Sequence, residues 1–260
     1  MQLKNIGMAA PSAPSDVLPP PAEKAATVRR MFSAIAPRYD LLNHLLSLNR
    51  DRAWRRKAVD QLLEGAPADG LYLDLCAGTL DLSVEIGKRS GFRGRVLAMD
   101  FTFAMLQAGR EKVRGLPVST ACSDALELPL ASASVDGIIV GFGVRNLASL
   151  EAGLRESARV LRPGGKLVIL EFTTPGWQPF RALYLTYFRH VLPAIGKLVS
   201  KHDSAYSYLP ASVLQFPEPD ALAARMREAG FDRVAWRTMT GGIVAIHAGQ
   251  RSDTRIANGN

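Results

Sequence analysis

An α/β fold built on a doubly wound, mostly parallel sheet follows from three features of the 260-residue chain. Short apolar runs alternate with helical stripes from residue 71 onward, three successive runs close on an aspartate, and the composition, 47% hydrophobic and 22% charged, is that of an ordinary folded domain.

The elements follow in chain order. Residues 1–22 carry Pro11, Pro14, Pro19, Pro20 and Pro21 among Ala and Ser, too little apolar surface to offset the entropy of ordering, so a disordered tail is expected over 1–26. It lacks the apolar stretch of a secretory signal. From Thr27, Met31, Phe32 and Ile35 recur at helical spacing up to Pro37, and Trp54, Ala58 and Leu62 form a second stripe ending near Gly65; two N-terminal helices are expected over 27–65. The main domain, 27–249, then reads as strands at 71–75, 96–99, 118–121, 135–141 and 166–172, with helices starting at Asp81, Thr102 and Ser149. Residues 173–217 break this rhythm as an aromatic-rich insertion. A helix over 220–229, capped by Gly230, and strands near Val234 and at 243–247 complete seven strands. Residues 250–260 form a polar tail.

Composition excludes several classes. No apolar run reaches the roughly 18–20 residues that a membrane-spanning helix needs. Cys76 and Cys122 cannot build a disulfide framework, which points to a reducing, cytoplasmic setting. Four histidines and two cysteines offer no metal-ligand spacing, so no metal is expected. The net charge of +8 is unevenly spread. Residues 27–57 hold eight basic residues and two acids, residues 178–202 hold four basic residues and no acid, and the remainder is slightly acidic. With Phe180, Tyr184, Tyr187 and Phe188, the second segment has the mix that suits a lipid headgroup boundary; a solvated charged helix face is the alternative.

In a doubly wound sheet ligands sit at the carboxyl ends of the strands where the order reverses, which directs attention to Asp74-Leu75-Cys76-Ala77-Gly78-Thr79-Leu80-Asp81. A dinucleotide loop needs three glycines to bring a pyrophosphate against bare backbone, and here only Gly78 is present. An acid at the strand end followed by a turn of small residues suits S-adenosyl-L-methionine, whose amino group needs an acceptor and which has no phosphate; a plain strand-to-helix turn is the competing reading. Asp100 and Asp124 close the next two strands. The first is placed to accept ribose hydroxyls and the second to take an adenine amino group, with the Ala125 N–H donating to a ring nitrogen.

Beyond this loop the sequence resembles the ubiquinone/menaquinone biosynthesis C-methyltransferase family of class I S-adenosylmethionine-dependent enzymes. The resemblance rests on Phe32-Ser-Ala-Ile-Ala-Pro-Arg-Tyr39-Asp40, Asn43-His-Leu-Leu-Ser47, Trp54, Phe142-Gly-Val-Arg145-Asn146-Leu, Arg159-Val-Leu-Arg-Pro-Gly-Gly-Lys-Leu, Ser204-Ala-Tyr206-Ser-Tyr208-Leu and Gly241-Gly-Ile-Val-Ala-Ile-His247. It implies a Rossmann-like, seven-stranded class I methyltransferase fold with a helical lid over the substrate, and cofactor contacts at Thr79, Asp100, Asp124 and Ala125, with Gly141 at a further matching position; Asp74 and Gly78 of the loop complete the cofactor-binding candidates. It also implies that the substrate is a polyprenylated benzoquinol or naphthoquinol methylated on a ring carbon. The family usually has glycine at position 80; with Leu80 the turn is expected to take a conformation that leucine tolerates, its side chain turned into the sheet–helix interface.

Carbon methylation needs electron density on the ring, which a phenolate supplies, so proximity and electrostatics carry the rate. Arg145 is the expected phenolate partner, a guanidinium being too basic to act as base, and Asn146 the partner of the second ring oxygen. A salt bridge from Arg145 to Glu171 or Asp136 is the structural alternative. Base or substrate candidates are Tyr39, His190, His202, Asp203 and Tyr206; Asp40 is a further candidate from the N-terminal helices, and His247 is read as structural. Cys76 at a helix start is read as a small residue under the cofactor rather than a nucleophile. Two other readings remain: a methyltransferase of RNA or of a small polar molecule, and a non-catalytic binding protein on the same fold. No RNA-binding motif with aromatic platforms is present, so no nucleic-acid partner is expected. Peripheral contact with the inner face of a membrane is expected, and an oligomer is compatible with the sequence.

Overall fold

The computed structural model describes residues 18–187 and 203–253, with the backbone alone for residues 21 and 203–207. A seven-stranded sheet forms its centre: β1 (Leu71–Leu75), β2 (Arg95–Asp100), β3 (Val118–Cys122), β4 (Val135–Gly141), β5 (Leu161–Phe172), β6 (Phe231–Met239) and β7 (Val244–Arg251), in the order β3-β2-β1-β4-β5-β7-β6. The first five strands pair in parallel and β7 runs antiparallel to both β5 and β6. The order reverses between β1 and β4, so their carboxyl ends open a crevice.

Alternation along the strands fills both faces. Leu73, Ile138, Val140, Leu167 and Ile169 pack on one side with Leu154, Leu222 and Met226, which lie on α6 (Leu150–Val160) and α9 (Pro219–Glu228). Tyr72, Ile139, Val168 and Leu170 pack on the other with Trp54, Ala58, Val59 and Leu62 of α3 (Arg50–Leu63) and with Leu82 and Ile86 of α4 (Asp81–Gly87). Each such side chain contributes about 1.5–3 kcal/mol when fully buried. The remaining helices among the described residues are α1 (Pro21–Ile35), α2 (Tyr39–Leu46), α5 (Phe103–Gly109), α7 (Gln178–Thr186) and α8 (Asp203–Gln215).

Four boundaries differ from expectation. Helix α1 starts at Pro21, inside the segment read as tail. Pro20 and Pro21 sit at its start, where no backbone N–H is needed, and Lys24 Nζ anchors it by donating to the carbonyls of Arg145 (3.0 Å) and Leu147 (2.7 Å). A third N-terminal helix, α2, follows Pro37, because the chain makes a single 3-10 turn over Ala36–Arg38 and then resumes. Strand β5 begins at Leu161 opposite Val135, and the exposed residues Arg162 to Gly164 bulge out before pairing resumes at Lys166. At the other end Gln250 and Arg251 belong to β7, not to a tail, since they pair with Asp232 and Phe231.

Candidate active site

Asp74, at the end of β1, is buried beneath the crevice. Its Oδ2 accepts from the Ser83 N–H (2.9 Å) and the Ser83 hydroxyl (2.6 Å), and Oδ1 has no partner. Burial pushes this carboxyl up to about 7, against the two bonds from Ser83. Thr79 is also turned inward, its hydroxyl donating to Asp40 Oδ1 at 2.5 Å. Both were expected to touch the cofactor, and neither is among the residues lining the crevice. Each is occupied in holding the loop to its neighbours.

The crevice brings together the other expected contacts: Gly78, Asp100, Asp124, Ala125 and Gly141, joined by Tyr39 and Asn146. Asp100 Oδ2 accepts from the Gly78 N–H (2.9 Å) and Oδ1 from the Thr102 N–H (2.8 Å), which fixes the carboxylate while each oxygen keeps a second lone pair. Burial raises its pKa and these N–H bonds oppose the rise. Asp124 Oδ1 accepts from the Leu126 N–H at 2.9 Å, a local turn that holds the carboxylate at the rim. Gly78 has φ +53°, and at Gly109 on α5 a Cβ would lie 2.4 Å from the Thr79 carbonyl oxygen, so only glycine lets α5 press against the loop.

Three non-glycine residues of this region also have positive φ: Cys76 (56°), Leu80 (71°) and Phe142 (59°). Leu80 therefore keeps a backbone conformation that favours glycine, contrary to expectation. Its side chain points where expected, fully buried with Ala77, Ala98, Leu106 and Val113. A burial gain of about 1.5–3 kcal/mol offsets a left-handed cost of roughly 1–2 kcal/mol. The Cys76 thiol is pushed well up by burial and by the carboxylates of Asp100, Asp74, Glu171 and Asp124, which leaves it protonated and disfavours a nucleophilic role.

A line of charges ties this loop to the N-terminal helices. Lys112 Nζ contacts Asp40 and, at 2.7 Å, Asp81; Arg55 pairs with Asp81 (3.3 Å) and Asp51; Asp51 also accepts from Ser47 (2.6 Å) and His44 Nδ1 (2.9 Å). Asp40 and His44 both lie on α2, so that helix is fixed at two points one turn apart.

Next to the crevice lies an apolar chamber of ≈ 600 Å³, walled by Leu42, Trp54, Phe172 and Tyr184 and sharing Phe32, Tyr39 and Phe142 with the crevice. Burial raises the Tyr39 phenol, opposed by a hydrogen bond with the Asn43 side chain. Arg145 is one of three arginines that line the chamber, with Arg50 and Arg55. It follows β4 on the 3-10 turn Val144–Asn146, pairs with Glu171 at 2.8 Å, lies over the Phe172 ring at 5.5 Å, and leaves Nε without a partner. The salt bridge weighed as the structural alternative is therefore present, and the guanidinium lines the chamber as well. Asn146 parts from it, facing the crevice with Oδ1 unpartnered.

His190 and His202 lie outside the described residues, as do the side chains of Asp203 and Tyr206 on α8. His247 is buried at the far side, bonded to the Pro219 carbonyl (3.0 Å), and burial lowers its pKa. Sequence reasoning gave no role to Phe142 and Phe172, whose rings lie 4.6 Å apart, or to Lys112. The aromatic signal was visible, but its convergence was not. Among the described residues no group of three or more metal-ligating side chains gathers, and no helix is long and apolar enough to cross a membrane.

The sheet order, the strand-end acids and the phosphate-free loop define a class I S-adenosylmethionine-dependent methyltransferase. A solved S-adenosylmethionine-dependent methyltransferase from Thermotoga maritima superimposes with a TM-score of 0.58 at 18% identity, over 85% of this chain and 100% of its own. The profile of the ubiE/COQ5 methyltransferase family matches residues 21–251, and the chain belongs to that family. A demethylmenaquinone methyltransferase of Thermus thermophilus is 48% identical over 223 residues, covering 85% of this chain and 100% of the relative. A ubiquinone/menaquinone biosynthesis C-methyltransferase of Geotalea daltonii is 41% identical over 233 residues, covering 88% and 98%.

Proposed function

We propose that the protein methylates a ring carbon of a polyprenylated quinol, demethylmenaquinol or a 2-polyprenyl-6-methoxy-1,4-benzoquinol, in menaquinone or ubiquinone biosynthesis. The observation that carries this reading is the ≈ 600 Å³ apolar chamber that shares three aromatic walls with the cofactor crevice and holds Arg145.

S-adenosylmethionine supplies an electrophilic methyl group when bound. Asp100 holds the ribose hydroxyls, Asp124 and the Ala125 N–H hold the adenine, and Gly78 and Gly141 border it with bare backbone. Arg145 stabilises the phenolate that raises electron density on the ring carbon, Asn146 orients the reacting partners from the crevice side, and Tyr39 sets the ring plane between the two spaces. His190, Asp203 and Tyr206 remain candidates for the proton acceptor.

Peripheral contact with the cytoplasmic face of an anionic membrane belongs to the same reading. Leu41 and Leu45, one turn apart on α2, are continued by Leu48, and all three are between 46% and 80% exposed, with Leu183 facing the same mouth. Exposed Arg50, Arg52, Arg56 and Lys57 lie alongside on α3. Arg55, counted with this basic segment from sequence, is buried in ion pairs with Asp51 and Asp81 and takes no part. Binding to anionic vesicles should weaken with salt and with Arg52→Gln/Arg56→Gln; salt-independent binding contradicts the contact.

The activity itself is tested by incubating the protein with S-adenosylmethionine and short-chain demethylnaphthoquinol or benzoquinol and weighing the product by mass spectrometry. A ring gaining one methyl supports the reading. Unchanged quinols together with a methylated RNA or small polar acceptor would overturn it.

A further inference from the structure

Tyr208 lies on α8, which packs against the Val144–Asn146 turn that carries Arg145. The side chain is 5% exposed, and its hydroxyl has no hydrogen-bond partner. It lines the apolar chamber on one side and, on the other, a polar cleft of ≈ 270 Å³ whose walls include Lys24, Glu151 and Ser212. Among the described residues Arg145 also borders both spaces, and its Nε is likewise without a partner.

Two unsatisfied donors in the wall of a mainly apolar chamber call for an acceptor, because a buried donor left alone costs stability. Tyr208 and Arg145 meet the same two spaces from packed elements, and burial raises the phenol, which keeps it protonated and hence a donor. A quinol ring entering the chamber brings oxygens that can accept from these two groups, and the oxygen next to the methylated carbon gains negative charge as its proton leaves.

We propose that Tyr208 is a substrate-contacting residue, its hydroxyl donating a hydrogen bond to the quinol oxygen beside the carbon that is methylated, together with Arg145 Nε. This rests on the quinol reading of the chamber. Tyr208 then helps to hold the phenolate form, while Arg145 neutralises its charge.

The test is Tyr208→Phe, which keeps the ring and its packing. Because the hydroxyl has no hydrogen-bond partner within the protein, Tm and S-adenosylmethionine affinity should not fall. With a short-chain demethylnaphthoquinol, kcat should drop about tenfold or more, and the acid limb of the kcat–pH profile should move to higher pH, which a packing role would not produce. Unchanged kcat and an unchanged limb overturn the proposal, as does a lowered Tm with the pH profile intact. Binding of the oxidised naphthoquinone, read by quenching of Trp54 in the chamber wall, separates this from failure of the wider reading. Weaker quenching in Tyr208→Phe supports the proposal and equal quenching overturns it. If the wild type neither binds nor methylates quinones, the quinol reading falls and the proposal with it.

Discussion

Arg145 Nη1 donates to Glu171 Oε1 across 2.8 Å, and the same oxygen accepts from the Phe172 N–H at 2.9 Å, with both charged side chains almost wholly enclosed. Burial raises the Glu171 carboxyl and Arg145 opposes that rise. One edge of the guanidinium is thus anchored and the other left to the chamber.

Removing one member of such a pair strands the other. Arg145→Ala should destabilise the fold by about 3–5 kcal/mol, since Glu171 would be left as an uncompensated buried charge. Loss of methyl transfer in that variant would mix stability with chemistry. The pair Arg145→Met/Glu171→Gln should recover much of the lost Tm while staying inactive; recovered activity would show that the guanidinium is only a strut.

Asp100 and Asp74 should separate in calorimetry. Asp100→Ala removes a carboxylate that lines the crevice and also frees the Gly78 N–H, so affinity for S-adenosylmethionine should fall at least about tenfold. Asp74→Asn, whose side chain lies beneath the crevice, should change it less than about threefold. Similar losses in both would contradict the inward placement of Asp74.

Leu80→Gly would relieve roughly 1–2 kcal/mol of left-handed strain but would empty a fully buried site, for which large-to-small changes cost about 2–5 kcal/mol. Packing outweighs strain, and the variant should unfold at lower denaturant concentration than the wild type. A more stable glycine variant would mean that the strain is the larger quantity.

Asp74 also gives a pH signature. Its folded pKa of about 7 lies above the ordinary 3.8, so between those values the folded state keeps a proton that the unfolded chain has released. Its contribution to stability is therefore fully present below about pH 4, is lost as pH rises toward 7, and changes little above. Relative to Asp74→Asn, the wild type should lose stability, on the order of a few kcal/mol, between pH 4.5 and 7.5 in denaturant unfolding; parallel curves would refute the raised carboxyl.

Much of this architecture was legible in the chain. Strand β1 runs over the expected residues because four apolar residues around Asp74 are bounded by Gly70 and a turn, and α6 starts where Ser149 caps it by accepting from the Ala152 N–H at 3.1 Å. Helix α2 was hidden because Pro37 reads as a stop, whereas it sits in the first turn of a new helix and sacrifices no bond. Asp74 was placed on the correct strand end, but its direction depends on Ser83, nine residues later. The chamber was the least legible part. Trp54, Phe142 and Phe172 come from three distant segments, and only the folded sheet brings the rings within 6.4 Å of one another.

The left-handed backbone at Cys76, Leu80 and Phe142 is held by the packing of the protein itself, Leu80 being fully buried and Phe142 nearly so. Conformational strain of this kind is locked in by surrounding packing during folding, not by the ligand. The loop consequently has little freedom left to lose when it closes on its guest, and association should proceed with almost no ordering entropy, as with a rigid socket rather than a clasp.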